Sequence, residues 1–295
     1  MMRYVFSSMR PRFLLLALAC VFLGTAAAIW AVGKVNPWYV LLAFIGGLAA
    51  HACVNAFNDY NDIRSGLDFR TNRTPFSGGS GTFVEVPEKV HLALWTTIGT
   101  ALITVVVGIY FALAVGWVIL PIGILGLIVI LTYTQWLNKQ PLLCLLAPGF
   151  GFGTLMVLGT FYVLTGRITW SAVLASSIPF FLVSNLLLLN QFPDVEADTT
   201  VGRKHYPILV GRKTSAIIYG CFLAATYLAI ILGVMLRITP AWTLLGLLTA
   251  AIALPTALKV LQHAENIPAL VPSMIQNVLL NLVTPLLMGV GFLIA

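Results

Sequence analysis

Apolar residues fill this chain in long blocks separated by short polar stretches, from near its first residue to its last. A helix needs about 20 apolar residues to span the hydrocarbon core of a bilayer. Blocks of that length fall at roughly 13–33, 37–57, 90–112, 116–135, 143–165, 171–192, 214–236, 240–261 and 270–294. GKVNP (33–37) and LAVGW (113–117) mark tight turns between neighbouring blocks. The pattern predicts an all-α, polytopic membrane protein of about nine transmembrane helices, forming a single transmembrane domain over residues 1–295. Arg3, Arg10 and Arg12 precede the first block in the manner of a signal peptide. That block is long enough to span and has no clean cleavage site, so it is expected to stay as the first helix.

Charge sharpens this picture. Charged residues make up 8% of the 295 positions, against about 25% in soluble domains. So few cannot coat a globular surface, which leaves most of the surface to lipid. The net charge of +7 does not point to nucleic acid, because the basic residues sit in short loops where they set orientation. With the N-terminus in the cytoplasm of a multi-pass inner-membrane protein, thirteen of the 16 Lys and Arg fall on the cytoplasmic side; Lys34, Arg167 and Arg237 fall outside. All 9 acidic residues also fall on the cytoplasmic side, which the rule for Lys and Arg does not require and which cation binding explains. Cys20, Cys53, Cys144 and Cys221 lie in or beside apolar blocks and form no CxxC pair, so they read as small buried thiols.

The polar chemistry gathers in two longer loops, roughly 58–89 and 194–213, on the same face of the membrane. NAFNDYNDIRSGLD (55–68) places Asn55, Asp59 and Asp62 at i, i+4 and i+7. NQFPDVEAD (190–198) places Asn190, Asp194 and Asp198 at i, i+4 and i+8. On helices each set shares one face. Carboxylates at a helix C-terminus oppose the helix dipole and repel each other, and a divalent cation reverses both effects. Oxygen ligands without a Cys or His set suit Mg²⁺, which keeps substrate phosphates in its shell. We therefore take Asn55, Asp59, Asp62, Asp194 and Asp198 as candidate metal ligands, the four aspartates also as candidate catalytic residues. Arg64, Arg73, Lys139, Arg203 and Lys204 are candidate diphosphate-binding cations. The SGGSG run (77–81) can bring backbone N–H groups to a phosphate or simply turn. Among the histidines, His51 sits one turn before Asn55 and can line the cavity, though it reads first as a buried, satisfied side chain; His91, His205 and His263 read as interface residues. Tyr133, Phe150, Phe152, Phe161 and Tyr162 can shield a carbocation or fill space.

These residues carry a resemblance. The chain resembles the UbiA superfamily of intramembrane aromatic prenyltransferases and is most similar to the branch of 1,4-dihydroxy-2-naphthoate prenyltransferases of menaquinone synthesis. RPRF (10–13) resembles the Arg-Pro start of the first helix, NDYNDIRSGLD (58–68) the first aspartate motif, and TNRTPFSGG (71–79) the Arg-Pro-containing loop. GFGTLMVLGTFYVLTG (151–166) resembles the fifth helix of the naphthoate branch, and NQFPDVEADTTVGRKHYPILVG (190–211) the second aspartate motif with its basic tail. WLNKQPLLCLLAPG (136–149) departs from the Gly-Leu-Gly-Glu-like segment of that branch, which bears on the acceptor more than on the reaction. The resemblance implies nine helices around a central cavity with both motifs at its cytoplasmic mouth. It implies Mg²⁺ as cofactor, a polyprenyl diphosphate donor and an aromatic acceptor, with Asn55, Asn58, Asp68, Tyr133 and Asn190 lining the substrate pocket. A same-fold enzyme with another acceptor, or a prenyl-diphosphate cyclase, stays open. An ion-coupled transporter fits less well, because transporter carboxylates sit near mid-membrane and the span centres here carry none.

Overall fold

The computed structural model describes residues 1–74 and 78–295; part of the SGGSG and TNRTPFSGG runs therefore lies outside the described residues. Every regular element among the described residues is helical. A short α1 (Met2–Ser8) precedes α2 (Leu15–Val32) and α3 (Pro37–Arg64). There follow α4 (His91–Ala114), α5 (Ile119–Tyr133), α6 (Pro141–Gly149) and α7 (Leu158–Thr165), the last two joined by a π-helical stretch over Phe150–Val157. The second half holds α8 (Trp170–Asn190), the short α9 (Val195–Thr200) and α10 (Tyr206–Leu209), then α11 (Gly211–Met235). A 3-10 stretch (Ala241–Thr249) leads into α12 (Ala250–Gln262), and α13 (Ile267–Leu293) closes the chain.

Eight of the helical segments are long and apolar enough to cross a membrane, counting α6 through α7 as one and the 3-10 stretch with α12 as another. The ninth expected span, α5, has only 15 residues. At 1.5 Å per residue that is about 22 Å, short of the usual core. The second span runs longer than its apolar block. The expectation ended it near residue 57, where polar residues begin, but α3 continues to Arg64 and stops where Gly66 takes a φ of 78°. Polarity ends the hydrocarbon crossing; it does not end a helix that can be solvated at the interface.

Local chemistry fixes the other ends. The Asn36 side chain accepts from Trp38 N at 2.9 Å and Pro37 occupies the first helical position of α3. The Asn266 side chain caps α13 at Ala269 N, 3.3 Å away. The stretch from α6 into the π turn packs directly on α8. A Cβ added to Gly149 would lie 2.1 Å from Phe180 O, and one added to Gly153 would lie 2.2 Å from Phe180 N. Only glycine allows that approach. The first and last long helices, α2 and α13, also pack together, and the helices enclose a central cavity of about 420 Å³.

Candidate active site

Asp59 and Asp62 stand on the last two turns of α3. Asp59 is fully buried; one carboxylate oxygen accepts from the Arg10 guanidinium and, at 3.3 Å, from Ser80 N. Asp62 accepts from Arg203 Nη2 at 2.5 Å. The other terminal nitrogen of Arg203 donates to Asp198 at 3.0 Å, and the second oxygen of Asp198 meets His205 Nε2 at 3.0 Å. One guanidinium thus joins the two acidic motifs, and Asp194 lines the same cavity. The second motif does not occupy one helix face as its spacing suggested. Pro193 lacks the N–H to continue α8, so the chain turns at 191–194 and Asp198 rises on the separate α9.

The remaining candidates divide. Asn58, Asp68, Tyr133 and Asn190 line the cavity as expected. Asn55 also lines it, but its amide nitrogen donates to Met9 O at 2.9 Å, so it ties down the N-terminal segment. Arg64 and Lys204 do not line the cavity. Arg64 is exposed and bonds the Tyr60 hydroxyl at 2.8 Å; Lys204 is exposed with its backbone N–H on Asn138 O. Arg73 does not line the cavity either: its guanidinium donates to Gly78 O at 2.9 Å and Asp68 O at 3.0 Å, bracing the glycine loop. Lys139 lines an adjoining recess that shares Asp62 and Arg203 with the mouth. Of the aromatics, Tyr133 and Phe152 line the cavity, while Phe161 and Tyr162 are packed in the core.

Arg10, Arg12, Asn138 and His205 also line the cavity, although their sequence positions did not mark them as site residues. His205 is buried against Asp198, not an interface residue. The signal for Arg10 was present: it stands just before the first apolar block, on the side of the membrane where the charge pattern gathers the acids. Arg10 adopts a φ of 50°, a conformation rare outside glycine, held by its bond to Asp59. Burial disfavours its cation, yet Asp59, with Asp62 and Asp68 nearby, raises its pKa above the ordinary value. Burial works the same way on Arg203, and Asp62 and Asp198 overcome it. Burial, followed by the charges of Asp62 and Asp59, pushes Asp68 up to about 7.

The mouth is rich in oxygen donors. Asp62, Asp68, Asp194 and Asp198 line the cavity with Asp59 behind them, against the cations of Arg10, Arg12 and Arg203. Asp59 Oδ2 and Asn190 Oδ1 are buried without a partner among the described residues. An excess of carboxylate and orphaned oxygens suits a hard divalent cation. Among the described residues no three Asp, Glu, His or Cys groups already converge as a ligand shell, because Arg10 and Arg203 engage three of the carboxylates. Below the mouth the wall turns apolar, with Val107, Phe111, Ile122, Leu155, Met156 and Leu186.

An all-helical, multi-pass membrane fold with an acidic and cationic mouth over an apolar cavity defines a class of membrane-embedded proteins suited to a molecule with a charged head and a hydrocarbon tail. The chain belongs to the UbiA prenyltransferase family, whose sequence profile matches residues 17–269. It lies close to the 1,4-dihydroxy-2-naphthoate branch and is an enzyme that transfers prenyl groups. It is 28% identical over 228 residues, 75% of this chain and 70% of the relative, to the 1,4-dihydroxy-2-naphthoate octaprenyltransferase of Bacillus subtilis (strain 168). It is 26% identical over 295 residues, 98% of this chain and 94% of the relative, to that of Escherichia coli (strain K12). The fold is similar to the apo structure of a UbiA homolog from Aeropyrum pernix K1, with TM-score 0.73 and 19% identity over 96% of this chain and 98% of that one. It is also similar to a UbiA homolog from Archaeoglobus fulgidus bound to DMAPP and Mg²⁺, with TM-score 0.59 and 14% identity over 99% of each chain.

Proposed function

We propose that this enzyme transfers the prenyl group of a polyprenyl diphosphate to 1,4-dihydroxy-2-naphthoate or a related quinone precursor, with Mg²⁺. The observation that carries the reading is the joining of Asp62 and Asp198 by Arg203 at the mouth of an apolar cavity. A prenyl diphosphate has two matching halves, a polyanion for the mouth and a hydrocarbon for the cavity. The names of the Bacillus and Escherichia relatives support the naphthoate acceptor, and the ligands of the Archaeoglobus homolog support Mg²⁺ and an allylic diphosphate.

The residues divide the work. Asp59, Asp62, Asp194 and Asp198, with Asn190, would hold Mg²⁺, which when bound offsets charge on the departing diphosphate. Arg203 and Arg10 carry further N–H donors for phosphate oxygens; Arg10 Nε is buried without a partner among the described residues. Lys139 stands beside the mouth to take up charge at the solvent side. The apolar wall excludes water from the allylic carbon as its C–O bond breaks and diphosphate leaves; the acceptor ring carbon bonds in its place and gives up its own proton or carboxyl group to restore the aromatic ring. The orientation consistent with the Lys and Arg distribution is an inner-membrane protein with the N-terminus and the mouth in the cytoplasm.

The direct test incubates the purified protein with Mg²⁺, prenyl diphosphates of several lengths and a panel of acceptors, with products weighed by mass spectrometry. Prenylated naphthoate, lost on chelation, is expected. A cyclised or hydrolysed prenyl product with no adduct to any acceptor would replace this reading with a lyase-type one.

A further inference from the structure

His51 is unlike the other polar groups of the cavity. It is 5% exposed, lines the cavity and makes no hydrogen bond among the described residues; its Nδ1 is fully buried without a partner. A neutral imidazole carries one donor and one acceptor, and a buried ring nitrogen left without a partner is unfavourable. The ring stands edge-on to Phe152, centroids 4.6 Å apart, on the π-helical stretch. Widened turns of this kind recur at functional sites.

Asn281 presents the same feature from α13. It is 1% exposed, lines the cavity, and its Oδ1 has no partner among the described residues. Its amide nitrogen is fixed on Asn277 O at 2.9 Å. Asn277 is itself held by the Tyr219 hydroxyl at 3.1 Å and by Asn185 O at 3.4 Å. A side chain anchored this way holds its amide in a fixed plane beside the cavity, with the oxygen buried and unpartnered among the described residues.

Helix rise puts the two groups at a similar depth below the acidic motifs. His51 precedes Asp59 by eight positions on α3, about 12 Å along the helix. Asn277 is level with Asn185 on the antiparallel α8, which puts Asn281 about 13 Å below Asn190. The cavity's arginines, Arg10, Arg12 and Arg203, all belong to the mouth.

Building on the transferase reading above, we propose that His51 and Asn281 form the far end of the acceptor subsite and determine its specificity. They hydrogen-bond a neutral hydroxyl or carbonyl oxygen on an aromatic ring whose reacting edge faces the mouth, with Phe152 against the ring. Among the described residues that line the cavity, no Lys or further Arg stands at that depth to neutralise a carboxylate. The subsite therefore takes hydroquinone-type rings with oxygens para to one another and rejects rings that would bury a carboxylate there.

The test measures steady-state transfer to 1,4-dihydroxy-2-naphthoate and to 4-hydroxybenzoate, together with the affinity for a non-hydrolysable prenyl thiodiphosphate, in wild type and in His51→Phe, His51→Gln and Asn281→Leu. Wild type is expected to prefer the dihydroxy acceptor. His51→Phe and Asn281→Leu should each raise the acceptor KM by about tenfold or more, with donor affinity within about twofold. His51→Gln, which keeps a donor and an acceptor, should recover most of the loss. An unchanged acceptor KM in His51→Phe and Asn281→Leu overturns the inference. So does a parallel loss of donor and acceptor affinity that His51→Gln does not rescue, since that marks a structural role. Failure of the parent reading looks different: wild type itself would then prenylate neither acceptor.

Discussion

At the residue scale, Arg203 is the joint of the mouth. Its planar fork meets Asp62 on one side and Asp198 on the other, a geometry that the point charge of lysine does not reproduce. We expect Asp62→Ala and Asp198→Ala to lower kcat/KM by about tenfold to a thousandfold, the range for losing an electrostatic group at a transition state. Arg203→Lys should retain part of the activity that Arg203→Ala loses. Full turnover per folded molecule in Asp62→Ala would refute the roles given to these side chains. Arg73 belongs to a different category, since it braces the loop around Asp68. Asp68 itself titrates in a testable way. Its folded pKa of about 7 lies above the ordinary carboxyl value of about 4. The folded protein thus keeps a proton that the unfolded chain releases. The associated stability is complete below about pH 4 and is lost as pH rises through about 7. Asp68→Asn should therefore raise the Tm, relative to wild type, more at about pH 8 than at about pH 5. A difference that stays constant with pH would argue against a perturbed Asp68.

At the element scale, helix ends decide where the chemistry lands. Gly66 ends α3 only after Asp59 and Asp62 have been carried past the apolar block. Pro193 ends α8 early and frees α9 to swing Asp198 against Arg203 and His205. Arg212 steadies this turn: its Nε donates to Phe192 O at 2.8 Å while a terminal nitrogen grips Glu196 at 2.8 Å. Pro193→Ala allows α8 to run on, which would move Asp198 off the Arg203 fork. The expected result is a normally inserted protein with activity reduced at least as far as in Asp198→Ala, read by turnover alongside helix content by circular dichroism. Wild-type turnover would mean that the turn is set by tertiary contacts and not by the proline.

At the scale of the whole molecule, the wide spacing of the two motifs disappears on folding. The distribution of Lys and Arg places both loops on one side, and an odd number of crossings places the C-terminus on the other. A reporter fused after Ala295 should behave as extracytoplasmic. Cytoplasmic activity there would refute the nine-crossing arrangement.

Apolar run length alone was enough to give the all-helical membrane class, because a bilayer forces each run to close its own backbone hydrogen bonds. The two aspartate motifs were legible for a related reason: clustered acids on one membrane face need a cation, whatever packs around them. The direction in which a loop cation points was not legible. Arg64, Arg73 and Lys204 sit near the right carboxylates in sequence yet do not line the cavity, while Arg10 and His205, set aside for orientation and interface, turn in. That choice depends on which partner lies across the space after folding. The π turn, the contact of Gly149 and Gly153 on Phe180, and the meeting of His51 with Phe152 were likewise decided only by packing. Local pattern records what each segment does in lipid; the site is made where segments far apart in the chain face one another across a cavity, and only the tertiary structure sets that register.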